Sequence, residues 1–130
     1  MTGSAPEWSS GTYLLALSLT LAIEVPLVGL ALRRWYRVPL WHGCLLAAVA
    51  SLLTHPVVWF VLPTLAAPTL GYGGYLLVAE AFAWLAEALL FFSAVRRDLA
   101  GMLLVSLVAN LASFSLGVLG DLLGLLHLAT

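Results

Sequence analysis

Four long apolar stretches, residues 12–32, 39–62, 75–95 and 99–119, decide most of what this chain can become. Each holds about 20 residues, and a helix of that length spans the ~30 Å hydrocarbon layer of a bilayer at ~1.5 Å per residue. Strands of a membrane barrel would be about half as long and would alternate polar with apolar, and these stretches do neither. Composition agrees: 63% of the 130 residues are hydrophobic and 8% are charged, against about 25% charged in a soluble domain. Mean hydropathy is +1.10. The reading is all-α: one integral membrane domain over residues 1–130, folded as a four-helix antiparallel transmembrane bundle whose principal partner is the lipid bilayer.

The connections are short. Residues 33–38 join the first two spans, and 96–98 join the last two as a tight hairpin. The middle link, 63–74 (PTLAAPTLGYGG), is dense in Pro and Gly and reads as an irregular loop. The fourth stretch runs on to residue 128. A straight helix from 99 to 128 would be ~45 Å long, so the chain is expected to tilt or to bend near Gly117, Gly120 and Gly124 into a short interfacial extension. There is no lysine, and the five arginines fall at 33, 34, 37, 96 and 97. The positive-inside rule places loops 33–37 and 96–98 in the cytoplasm and both termini outside. With no basic stripe, nucleic acid is not a partner. The N-terminus lacks the basic region of a cleaved signal peptide. Trp8, Tyr13, Trp35, Tyr36, Trp41, Tyr72 and Tyr75 lie near helix ends, as an aromatic belt would. The single cysteine, Cys44, reads as a small apolar residue.

Five residues inside the spans are out of place in lipid: Glu24, His55, Glu80, Glu87 and Asn110. A charged side chain at mid-helix costs about 2.5–3.5 kcal/mol on the insertion scale, while a Leu or Phe returns about 0.3–0.6. The third span, with two glutamates, is close to balance, so it inserts only with partners or with its carboxyls protonated. Spacing puts these groups on inward faces. Glu80 and Glu87 lie two turns apart with Ala83 between them; Gly43, Ala47, Ser51 and His55 form an i+4 row; Ser106, Asn110, Ser113 and Gly117 form another; Thr20 precedes Glu24 by one turn. Converted to height, Asn110 falls near mid-bilayer, Glu24 and Glu87 ~3 Å to the cytoplasmic side, and His55 and Glu80 ~7 Å to the outer side. The expected pairs are therefore His55 with Glu80, and Glu24 with Glu87. Pro26 and Pro56 stand beside Glu24 and His55, and each frees a carbonyl one turn back, at Ala22 and Leu52.

Such a cluster can pass or hold protons or ions, as a single chain, a homo-oligomer or a subunit beside another membrane protein. A second reading is a non-catalytic membrane partner whose cluster only docks helices. A third is a metal-dependent membrane enzyme, with His55, Glu80 and Glu87 holding a divalent metal cofactor. An enzyme is the less favoured class: no H-E-x-x-H zinc helix occurs and no paired-glutamate protease motif is present. Haem is disfavoured, because His42 and His127 lie near helix ends and leave no second histidine opposite His55. Glu7 and Asp121 read as solvated at the outer face. The candidate site is Glu24, His55, Glu80, Glu87, Asn110 and Ser113.

The pattern T-H-P-x-x-W (54–59), E-x6-E (80–87) and N-x-x-S-x-x-x-G (110–117) resembles a group of small, uncharacterised bacterial four-helix integral membrane proteins. The resemblance covers spans two to four. It implies a four-helix fold with a shared polar core in the bacterial inner membrane, and it implies no activity.

Overall fold

The computed structural model describes residues 10–124; the expected roles of Glu7, Trp8 and His127, and the extension to residue 128, lie outside the described residues. Every element among the described residues is helical: α1 (Ser10–Tyr36), α2 (Leu40–Pro56), a π-helical turn (Val57–Val61), α3 (Leu62–Val95) and α4 (Leu99–Leu122). Three continuous helical runs, Ser10–Tyr36, Leu40–Val95 and Leu99–Leu122, are long and apolar enough to cross a membrane. The middle run has 56 residues, about twice the length of either neighbour.

That long run corrects the expectation of an irregular loop at 63–74. Helical backbone continues through the segment and departs at one residue, Gly71, with φ 70 and ψ 179. Pro63 lies inside this run, just past the π-helical turn, and has no N–H to give a carbonyl one turn back; Val58 O there accepts from Tyr75 Oη. Packing supports the rest: Ala66 shares a buried cluster with Tyr75 and Ala79, flanked by Val58, Leu62 and Leu76. Residue 66 touching 75, and Thr54 bonding Glu87 at 2.9 Å, show that the run doubles back about Gly71. A positive φ is one that glycine adopts without steric cost, so one residue reverses the chain here. The π-turn follows Pro56 and is marked by Leu62 N–H closing on Val57 O, five residues back. Such a turn bends a helix and rotates its face.

α1 outlasts its expected end at residue 32 and carries Arg33 and Arg34 in its last turn, where cations oppose the negative end of the helix dipole. Arg37 turns left-handed (φ 57), and Val38 N–H reaches back to Leu32 O at 3.2 Å. α4 continues unbroken through Gly117 and Gly120 and stops at Leu122, ahead of Gly124 with φ 68. Asp98 caps α4 by accepting from Gly101 N–H at 3.1 Å, and its other oxygen accepts from Tyr36 Oη at 2.9 Å. That pair ties the end of α1 to the start of α4 and puts both arginine turns at one end of the molecule. A Cβ on Gly101 would collide with Tyr36 Oη, so the cap requires glycine there. Asp98→Ala is expected to lower stability in detergent by about 1–2 kcal/mol, the usual loss for a removed cap. Reversible unfolding against wild type, with Asp98→Asn as a conservative control, measures it.

α1 packs on α2 and α4, and α3 on α2 and α4, which closes a ring. At the arginine end the interior is dense: Val28, Leu32, Ala47, Ala50, Phe91, Met102, Val105 and Ala109 form one buried cluster. The outward faces are apolar, with Leu30, Leu53, Leu77, Leu104 and Leu122 all more than half exposed. Trp35 and Trp41, 64% and 70% exposed, sit at the arginine end. Tyr75 corrects its assignment to the aromatic belt: it is buried, and its Oη donates to Val58 O at 2.8 Å.

Candidate functional site

Above the dense cluster the interior turns polar. Glu24 and Glu87 are each 2% exposed, and Ser51, Thr54, Ser106 and Asn110 are buried around them. Glu24, on α1, accepts from Ser51 Oγ on α2 at 2.8 Å and from Ser113 Oγ on α4 at 2.7 Å, one hydroxyl to each carboxyl oxygen. Glu87, on α3, accepts from Thr54 Oγ1 on α2 at 2.9 Å and from Asn110 Nδ2 on α4 at 2.8 Å. Each acid thus stands between the same two helices, and together they link all four. The expected Glu24–Glu87 pair is not made directly: each acid has its own two donors, Asn110 among those of Glu87, and none is shared.

Thr54 is the residue that sequence reasoning missed. The i+4 row from Gly43 was extended to His55, but the buried set is Gly43, Ala47, Ala50, Ser51 and Thr54, the 3–4 spacing of a helix face packed on a partner. Two more contacts went unread. Ser106 Oγ donates to Trp84 O at 2.8 Å, and Trp84 Nε1 donates to Leu103 O at 2.8 Å, pinning α3 to α4 one turn below Asn110. Asn110 Nδ2 also reaches Ser106 O at 2.9 Å, so its amide spans both acid and backbone.

His55 and Glu80 do not pair, contrary to expectation. Among the described residues His55 Nε2 is buried with no hydrogen-bond partner. The ring lies among aromatics, 5.4 Å from Tyr13 and 5.8 Å from Trp59 between centroids. The proline directly after His55 and the π-turn beyond it place the imidazole at this aromatic corner. The proposed metal set of His55, Glu80 and Glu87 is likewise not assembled: among the described residues no three His, Cys, Asp or Glu side chains converge to hold an ion. Both oxygens of Glu87 are already engaged, and His55 is held elsewhere.

What does gather these residues is a cavity of about 330 Å³. Its floor is Glu24, Glu87 and Asn110, its walls carry His55 and Glu80, and its far end is bounded by Tyr72 and Asp121. The packed cluster at the arginine end lies below this floor. Ser113 and Thr20 also line the cavity, so every candidate residue borders one space.

The hydroxyls allow a particular chemistry. Thr54 has one hydroxyl proton and two acceptors in reach, Glu87 Oε1 at 2.9 Å and Ala50 O at 3.0 Å. Ser113 likewise reaches Glu24 Oε1 at 2.7 Å and Asn110 O at 3.1 Å. An ionised carboxylate takes the hydroxyl proton. A protonated carboxyl donates to the hydroxyl oxygen, which turns its own proton to the backbone carbonyl. Both acids can therefore change protonation state without leaving a buried group unpaired.

No protein-family model, curated protein or solved structure matches the chain.

Proposed function

We propose that this chain is an inner-membrane protein that holds and passes protons, or small ions in their place, on Glu24 and Glu87. In this reading it crosses the bilayer four times as an antiparallel bundle. The 56-residue run supplies two of those spans by reversing at Gly71, both termini face outward and both arginine turns face the cytoplasm. It works as a single chain, a homo-oligomer or a subunit beside another membrane protein.

The carrying observation is the pair of buried acids at the floor of the cavity, each served by a hydroxyl with a second acceptor in reach. Ionisable groups at membrane depth mark ion and proton pathways, and these two meet that description with their partners named. The dense cluster toward the arginine end separates them from the cytoplasm, so this conformation offers access from the Tyr72–Asp121 end. Passage to the other side needs that cluster to loosen. Pro26, two residues after Glu24, and the π-turn after Pro56 are the places where the helices bend most easily.

Purified protein in liposomes carrying a pH-sensitive dye tests this. Wild type is expected to dissipate an imposed pH gradient, and Glu24→Gln to fall to the rate of empty liposomes. Folded wild-type protein that moves neither protons, Na⁺ nor K⁺ would sink the reading. The second reading, a network that only docks helices, is favoured by the full complement of hydrogen bonds on Glu24 and Glu87. It expects unchanged flux in Glu24→Gln, with the loss of stability confined to Glu24→Ala.

A further inference from the structure

We infer that the cavity above Glu24 and Glu87 is a binding site for a lipophilic organic cation; this rests on the reading of that cavity as the working site. The sign of the ligand follows from charge. The cavity is bordered by Glu24, Glu80, Glu87 and Asp121, while every arginine lies in the turns at the opposite end and no lysine exists. Glu80 is the informative acid. It stands on the wall, accepts no hydrogen bond and faces no cationic side chain among the described residues. A carboxylate so placed is satisfied by a proton or by a positive centre that enters from outside.

The chemical class follows from the walls. Beyond the acids they are Trp59, Tyr72, Tyr75, Leu76 and Phe114, aromatic and aliphatic surface. A hydrated metal ion gains nothing from such walls, and among the described residues the donors do not converge on one. An organic cation gains twice: its body removes apolar surface from water, and its charge is drawn to the faces of Trp and Tyr rings. About 330 Å³ falls within the range of small-molecule pockets.

Tetraphenylphosphonium and tetraphenylborate have nearly the same shape and opposite charge, so together they separate charge recognition from greasiness. Equilibrium dialysis of the purified protein in detergent is expected to show saturable tetraphenylphosphonium binding that tetraphenylborate does not displace. Glu80→Gln is expected to weaken it about tenfold. Gly117→Leu supplies an arm that does not depend on acids. A Cβ on Gly117 meets only Leu19 Cδ2, at 4.0 Å, so a larger side chain can enter the cavity without disturbing backbone. That variant is expected to abolish binding while unfolding like wild type. Absence of saturable binding, equal displacement by the borate, or wild-type affinity in either variant overturns the inference. Proton flux in liposomes separates the two ideas. Flux retained without phosphonium binding removes this inference alone, and phosphonium binding without flux upholds it while removing the proton-passing reading.

Discussion

Gly43→Leu is expected to lower stability in detergent by about 3 kcal/mol, the upper part of the range for overpacking. A Cβ at Gly43 would lie 3.2 Å from Gly29 Cα and 3.4 Å from Gly29 O, so α1 and α2 touch backbone to backbone. Small residues at a crossing allow that approach, and in lipid the resulting packing is a main source of helix association. The same crossing offers a test of sign. A Cβ at Gly29 would come 2.5 Å from Cys44 Sγ. Gly29→Ala is therefore expected to cost about 1–2 kcal/mol, and Cys44→Ala in the same chain to restore most of it. Unfolding of the two single variants and the double variant gives the coupling. A Gly43→Leu protein as stable as wild type, or no rescue by Cys44→Ala, would show that the helices do not meet at these glycines.

The second large effect is at Glu87. Glu87→Ala leaves one Asn110 Nδ2 proton without its acceptor in a buried site, turns the Thr54 hydroxyl to Ala50 O alone, and opens a void beside them. The unpaired buried donor costs about 1–3 kcal/mol and the void adds to it, so a loss of about 2–4 kcal/mol is expected. Glu87→Gln behaves differently. Its carbonyl accepts from Asn110 and its amide donates to Thr54, whose own proton turns to Ala50 O. Stability within about 1 kcal/mol of wild type is expected, together with proton flux at the level of empty liposomes. The split matters more than either number: a group that only docks helices predicts that Glu87→Ala loses stability while Glu87→Gln keeps the flux of wild type. Equal damage from Ala and Gln would mean that the hydroxyl at Thr54 does not turn as described.

How much of this was legible beforehand divides by residue. Glu24, Glu87, Asn110 and Ser113 could be placed together from spacing and helix height, because a buried acid in an apolar span must find a donor and few donors were on offer. Thr54 was passed over for its neighbour His55, since a one-residue step rotates the side chain by 100° and the choice of face depends on the crossing at Gly29 and Gly43. The PTLAAPTLGYGG segment misled for a related reason: its prolines and glycines suit a loop, but contacts to Tyr75 and Ala79 hold it helical.

By itself the sequence determined that the chain is helical and apolar over bilayer-long runs, that its arginines fall in two turns, and which acids had to be satisfied inside; hydropathy and charge are properties of composition and period. Only the tertiary structure decided which hydroxyl serves which carboxyl, that His55 and Glu80 stay apart, and that the chain reverses at Gly71 alone. Those outcomes depend on helix rotation, bending at Pro56 and the distance of approach at two glycines, quantities set by contacts between segments far apart in the chain.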